Sequence, residues 1–381
     1  MMRIGVDIRV LMDKQYSGVS EYSSILLRTL LRLDFDNEYR LFYNSCRDVR
    51  ARIGNFEHPN LLIKRSRYPN KFFNYCLQKG FAWPKLDRLV GGVDIFWSPH
   101  INFSNFSQET KHVLTIHDIS FLHYPEFFSY RKNFWHRSLA LKKLAARAAA
   151  IVAVSENTRQ DIIELLKIEP EKVQTIYSGV NPGVPMPGPE EERNFFRRHE
   201  LKKRFILYLG TIEPRKNIVG LIYAYNRLRD DNVNLVDLQL VLAGGSGWRN
   251  RPIYRAWEES PYRRDIKFLG YVSAREKELL YRRAEVFIYP SYYEGFGLPP
   301  LEAMARNLPV ITSNVSSLPE VVGSAALTIN PYDINEIAKA LELVVTDSQV
   351  RTRLIKAGQE QIHNFSWEKT AKQYLELFKS L

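Results

Sequence analysis

The chain has 381 residues, 45% of them hydrophobic and 13% aromatic, and carries 54 Lys and Arg against 42 Asp and Glu, a net charge of +12. That length and apolar content suit two domains of ordinary size with real cores and exclude a low-complexity chain. No apolar run nears the length of a membrane span, and Cys46 and Cys76 have neither metal spacing nor a redox motif, so they read as reduced thiols of a cytosolic protein.

Short apolar runs alternate with longer amphipathic stretches, the βαβ pattern of a parallel sheet. The opening MMRIGVDIRV reads as a strand with charge at its end rather than as a leader. In the first half the strands are expected at 3–7, 40–43, 61–64, 95–98, 113–116, 151–154 and 173–176. Residues 179–193, with four prolines and three glycines, suit neither helix nor strand and place a linker at 181–193. It divides a first domain, 1–180, from a second, 194–363. In the second half strands are expected at 205–210, 238–243, 266–269, 286–289, 310–312 and 327–329. Residues 364–378 read as a closing helix, with Ser366 as its cap and Trp367, Ala371, Tyr374, Leu375 and Phe378 as an apolar stripe. Two doubly wound α/β units joined by a linker are expected to leave a cleft between them, the usual location for a ligand site.

Chemistry concentrates in Tyr289–Pro319. Apolar residues 284–289 feed a turn holding Glu294, then Gly295, Phe296, Gly297, Leu298 and Pro299-Pro300. A second carboxylate, Glu302, follows eight residues after the first. A proline pair suits a first helical turn, because proline lacks only an N–H that is unpaired there. Glu302 is therefore expected in the first turn and Glu294 on the loop before it. Free N–H groups at a helix start attract phosphate, and carboxylates accept hydrogen bonds from hydroxyls. Phosphate together with two sets of hydroxyls describes a nucleotide sugar.

EGFGLPPLE resembles the E-x7-E motif of retaining glycosyltransferases of the GT-B fold, family four, and the rest of the chain follows that family in order and spacing. The resemblance implies two Rossmann-like domains facing across a cleft, with helix 364–381 returning to the first. It implies that Glu294 positions the donor sugar, that the amides of Gly295–Leu298 help to hold sugar and phosphate, and that Glu302 binds the ribose. LYLGTIEPRKN puts Gly210, Arg215 and Lys216 at the end of a strand. The family places an Arg and a Lys there on the diphosphate, with Lys216 expected on a cleft surface. Many relatives carry the arginine directly after the glycine, where this chain has Thr211, so Arg215 is the candidate instead. Gly244 in LAGGSGW could approach the nucleotide or simply turn the chain. Tyr271 and Val272, in FLGYVS, line the base pocket in the family.

In the first half, Gly18 opens the loop that the family lays over the diphosphate; it reads equally as a turn glycine. His117 and Asp118 stand at a strand end. The family often has a histidine there, near donor sugar and acceptor, and Asp118 is a candidate for taking the acceptor proton; packing of His117 and capping by Asp118 are the competing readings. Ser155 reads as a helix cap, and Glu320 carries no assigned role. Neither a metal nor another cofactor is expected. The resemblance to bacterial mannosyltransferases of O-antigen or exopolysaccharide synthesis favours GDP-mannose as donor and a glycan or lipid-linked glycan hydroxyl as acceptor. An epimerase or hydrolase of the same fold, and a non-enzymatic basic binding protein, are the alternatives.

The basic excess is uneven: 26 Lys and Arg against 18 Asp and Glu in residues 1–185, 28 against 24 beyond. No zinc finger or RNP sequence accompanies it, so nucleic acid is not expected. Residues 64–88, with Lys71, Lys79 and Lys85, and residues 130–147 mix cations with Phe, Trp and Tyr. They suit peripheral contact with an anionic membrane or ordinary helices with solvated basic faces.

Overall fold

The computed structural model describes residues 1–12, 17–78, 83–181 and 183–381. The chain divides into two compact units. One comprises 1–123, 130–179 and 365–381; the other comprises 124–129 and 180–364.

The first unit holds β1 (Arg3–Asp7), β2 (Glu38–Asn44), β3 (Leu61–Ser66), β4 (Ile95–Ser98), β5 (Lys111–Ile116), β6 (Ala150–Ala153) and β7 (Val173–Thr175). All pairings are parallel, in the order β3-β2-β1-β4-β5-β6-β7. A parallel sheet is covered on both faces, and the apolar β4 and β6 are buried throughout. The polar-rich edge β3 is mostly uncovered. The order reverses between β1 and β4, so their C-terminal ends form the topological switch point.

The closing helix, Trp367–Ser380, packs on Gly18–Leu33. Ser366 caps it by accepting from the Lys369 amide. Its Tyr374 hydroxyl meets those of Tyr22 at 2.8 Å and Thr115 at 2.7 Å, deep in the core. Leu377 joins Trp367, Ala371, Tyr374 and Phe378 in the buried stripe, while Leu375 is only half-buried. Ser155 caps Glu156–Leu166 through the Thr158 amide at 3.0 Å.

The second unit holds β8 (Arg204–Leu209), β9 (Leu238–Ala243), β10 (Ile266–Gly270), β11 (Val286–Tyr289), β12 (Val310–Ser313) and β13 (Ala326–Ile329), all parallel in the order β10-β9-β8-β11-β12-β13. Its switch point lies between β8 and β11. The linker expected over 181–193 ends early, because Pro189–Arg198 is helical. Pro189 occupies a first-turn position, where its missing N–H costs nothing, and Glu190, Glu191 and Glu192 favour the positive end of the helix dipole. Pro182 lies outside the described residues. Asn181 is tied to this unit: its carbonyl accepts from Arg306 at 2.9 Å, and the buried Arg306 pairs with the equally buried Glu278 at 3.1 Å.

Candidate active site

At the C-terminal end of β8 the chain turns through Gly210 to a short 3-10 turn, Pro214–Lys216. At the end of β11 it enters the loop that carries Glu294. The two strands are neighbours, so residues 78 and 79 apart in sequence meet. Lys216 Nζ donates to Glu294 Oε1 at 2.5 Å and to the Tyr289 hydroxyl at 2.7 Å. Arg215 Nη1 donates to Glu294 Oε2 at 3.0 Å and to the Tyr293 carbonyl at 2.5 Å. Its other side is held by Glu213, 2% exposed, at 3.0 Å. One carboxylate thus bridges two cations, and a second balances the charge of the group.

Burial works against the Glu294 carboxylate, but Arg215 and Lys216 outweigh it and hold the group at about 2. Burial, and then Arg215, push the Lys216 ammonium below the usual lysine range. Lys216 was expected on a cleft surface. It is instead 6% exposed, because the Glu294 and Tyr289 oxygens draw it inward.

Residues in the turn after the neighbouring strand β12 fix the loop. Ser316, at φ +57°, accepts from the Glu294 amide at 3.0 Å. The buried Ser317 hydroxyl faces the carbonyls of Glu294 and Phe296 at 2.9 and 2.8 Å. Asn217, at φ +55°, donates to the Pro331 carbonyl and accepts from the Tyr292 hydroxyl at 2.7 Å, ending the 3-10 turn where helix Ile218–Asp231 begins.

Helix Leu298–Met304 starts one residue before the proline pair. Glu302 is therefore its fifth residue and lies past the first turn in which it was expected. Of the first three helical residues only Leu298 carries an N–H, so the free amides there are fewer than the motif suggests. Gly295, Phe296 and Gly297 are buried, with Gly297 at φ +118°. Glu302 is also buried and held by Lys277 at 3.0 and 3.1 Å and by the Tyr281 hydroxyl at 3.0 Å.

Gly244 is required by the backbone. At φ +145°, a Cβ there would stand 1.9 Å from the Gly210 carbonyl oxygen. The two glycines let the ends of β8 and β9 close on each other. Tyr271 is exposed and Val272 half-buried, just beyond β10.

In the first unit the functional candidates stand at strand ends beside the switch point. His117, after β5, holds the Pro99 carbonyl at 2.8 Å through Nε2, and its ring meets Tyr22 edge-on. A carbonyl only accepts, so Nε2 carries the proton and Nδ1 keeps a lone pair. Burial lowers the His117 pKa, which keeps the ring neutral. Asp118 Oδ1 accepts from the Ser120 amide at 3.1 Å and hydroxyl at 2.7 Å. That is the capping geometry of the following turn, and it ties down one of the two oxygens a proton acceptor would use. Gly18 is the first residue of helix Gly18–Leu33, behind the capping Ser17. It is exposed, its φ is ordinary, and a Cβ would meet nothing within 4 Å, so the fold itself does not demand a glycine there.

Motif reading missed several partners. Asp7, at the end of β1 and fully buried, clamps the Arg9 guanidinium at 2.6 to 3.1 Å, and Arg9 reaches the Phe103 carbonyl at 2.8 Å. His100, just past β4, is lowered to about 4 by burial. Its Nδ1 is buried with no hydrogen-bond partner among the described residues. The signal for the first pair was a charged Asp-x-Arg at a strand end. Glu213 stood two residues before Arg215. For Tyr289, Ser316 and Ser317 only strand adjacency could give the role.

Two parallel doubly wound units, with cations and a buried carboxylate gathered at a switch point, define a glycosyltransferase of the GT-B fold. The profile "Glycosyl transferases group 1" matches residues 190–361, and that of "Glycosyltransferase Family 4" matches 16–184. The chain is 35% identical to O-antigen chain mannosyltransferase B of Escherichia coli over 96% of each chain. It is 34% identical to the serotype-specific mannosyltransferase WbdA of Escherichia coli over 71% of its own length and 34% of that protein. Among solved structures, sucrose-phosphate synthase of Thermosynechococcus elongatus aligns with TM-score 0.76 at 20% identity, covering 100% and 99% of the two chains. Anabaena HepE in complex with UDP and glucose aligns with TM-score 0.72 at 17% identity over 100% of both. The chain belongs to glycosyltransferase family four and is a glycosyltransferase.

Proposed function

We propose that this enzyme moves mannose from GDP-mannose to a hydroxyl of a glycan or lipid-linked glycan in cell-surface polysaccharide synthesis, with retention of configuration. One observation carries the chemistry: a single buried carboxylate, Glu294, bridges two buried cations, Arg215 and Lys216. A diphosphate supplies the anionic oxygens that Glu294 now gives these cations. Once they turn to it, Glu294 is free to accept from hydroxyls of the donor sugar, and Glu302 from the ribose. The mannose assignment is supported by relatives in Escherichia coli and Salmonella typhimurium that are themselves mannosyltransferases.

In the step proposed, the acceptor oxygen bonds to the anomeric carbon as the bond from that carbon to the phosphate oxygen breaks. The acceptor proton passes to the departing phosphate on the same face of the sugar. Arg215 and Lys216 stabilise the charge that grows on the diphosphate, so their contribution falls on the transition state. The double-displacement route to retention needs a carboxylate nucleophile, and Glu294 is assigned to binding instead. We assign His117, neutral and with an open Nδ1, to a sugar hydroxyl. Asp118 is assigned to holding the turn. Cations rather than a metal meet the diphosphate in this reading. A cytoplasmic setting agrees with the free thiols of Cys46 and Cys76.

A thermal-shift screen against GDP, UDP, dTDP and ADP tests the base, since ligands of the folded state raise its midpoint. A selective rise with GDP is expected; selectivity for another base removes the GDP-mannose assignment. NMR of the product then reads the anomeric configuration, and an inverted product removes the proposed step.

A further inference from the structure

The charge of this chain has a location. Between Glu57 and Asp87 there is no acidic residue, and none between Glu126 and Glu156. Each gap holds six Lys and Arg, and those twelve equal the net charge of +12. The rest of the protein is electrically balanced.

Structure brings parts of the two gaps together in the first unit. Helix Asn70–Gln78 buries Phe73 and Leu77 in a cluster with Phe42, Phe96 and Phe103. Leu139, just past helix Tyr130–Ser138, joins the same cluster, and Trp135 meets the Phe103 ring edge-on. The sides of these helices away from that core show an unusual surface for a monomer. Phe72 and Tyr75 are 54% and 51% exposed; Tyr130 and Phe134 are 84% and 64% exposed. Helix Tyr130–Ser138 has no buried residue at all. Lys71, Arg131, Arg137, Lys142 and Lys143 stand exposed among them. Lys79 lies outside the described residues.

We propose that this face docks the enzyme on an anionic lipid bilayer. Cations from stretches of chain that hold no acidic residue meet the negative leaflet, while the aromatic rings enter the headgroup region, where a ring with a polar edge is well placed. Solvated basic faces alone would explain the cations but not large aromatic rings left in water beside them. The assignment is independent of the donor: it concerns a different surface, and its failure leaves nucleotide binding untouched.

The test is co-sedimentation of the full chain with vesicles of phosphatidylcholine, with and without phosphatidylglycerol. Binding is expected only to the anionic vesicles and should weaken steeply with salt. Each cation near such a surface is worth roughly fivefold in partitioning, so replacing Arg131, Arg137 and Lys142 by Ser should lower binding about 100-fold. Exchange of the same three as Arg131→Lys, Arg137→Lys and Lys142→Arg should retain it. Phe134→Ser should remove much of the binding that survives high salt. The nucleotide-induced thermal shift, unchanged in every variant, reports that the protein is folded. No sedimentation with anionic vesicles, equal binding to both kinds, or equal binding by the Ser variant overturns the proposal. So does a single-stranded oligonucleotide that binds through these residues while vesicles do not.

Discussion

Replacing Glu294 by Gln keeps the shape of the side chain and removes one charge from a group that is otherwise balanced: Arg215 and Lys216 against Glu213 and Glu294. The two cations stay buried and are left with one carboxylate. The pKa of Glu294 lies at about 2 in the fold against 4.5 for a free glutamate, a difference worth about 3 kcal/mol in favour of the ionised form. That matches the lower end of the roughly 3 to 5 kcal/mol lost when one partner of a buried pair is removed. In a unit of this size the melting temperature should fall by roughly 6 to 12 °C at pH 7. The folded pKa is depressed, so this stability is fully present above pH 4.5 and is lost as pH falls through about 2. Wild type and variant should therefore converge in acid. Nucleotide binding should move the other way. GDP no longer competes with Glu294 for the cations, and if half of the 3 kcal/mol is released, its affinity rises about tenfold. Transfer from the sugar donor should fall, because a neutral amide with a single acceptor oxygen replaces the charged carboxylate that receives the sugar hydroxyls. Differential scanning fluorimetry and calorimetric titration with GDP measure both. An unchanged midpoint at pH 7, or GDP bound more weakly by the variant, would refute the reasoning.

Lys216→Met should lower kcat by roughly 100-fold or more, as loss of one charge-stabilising donor does, and should also lower the melting temperature, because the lysine is buried. Gly244→Ala, whose Cβ has no room beside the Gly210 carbonyl, should fail to give stable protein, whereas Gly18→Ala should melt like wild type; equal behaviour of the two would contradict the geometry. Activity with GDP-mannose should be indifferent to EDTA, and restoration by a divalent ion after chelation would end the metal-independent reading. His100 and His112 are held by burial at about 4 and 3, so the unfolded chain binds protons that the fold does not, and stability should fall as pH drops below 6.5, by roughly 3 kcal/mol each at pH 4. A flat stability profile from pH 6.5 to 4.5 would count against it.

Strand positions were legible because a parallel sheet buries both faces of its strands, and buried strands such as Ala150–Ala153 and Val286–Tyr289 read as unbroken apolar runs. The error at 189–193 has a local cause. Proline and glycine mark a loop by composition, yet the same Gly-Pro followed by three glutamates is also a helix start, and only the apolar contact of Phe195 decides between them. Glu302 was placed one helical position too early because composition cannot say whether a proline pair fills the first two helical positions or the second and third. Lys216 and Glu294 were named from the sequence, but not as partners. Their contact depends on β8 lying beside β11, which a separation of 78 positions conceals. The buried state of Lys216 follows from that contact and could not precede it.

The same contact bears on how the enzyme turns over. Two exposed cations would bind a diphosphate tightly in substrate and product alike, and uniform binding of that kind lowers KM without raising kcat. Here both cations already have an anionic partner. Each diphosphate contact must replace a Glu294 contact, so the net gain in the ground state is small. As the glycosidic bond breaks, charge on the diphosphate rises, while the charge on Glu294 does not change. The exchange therefore favours the diphosphate most at the transition state. After transfer the sugar is gone from Glu294, which is then free to reclaim Arg215 and Lys216 and weaken the hold on the nucleotide. If so, Glu294→Gln should release GDP more slowly than wild type, and single-turnover transfer should be less impaired than steady-state turnover. Stopped-flow release of a fluorescent GDP analogue separates the two. Release as fast as in wild type would mean that Glu294 positions the sugar but plays no part in letting the product go.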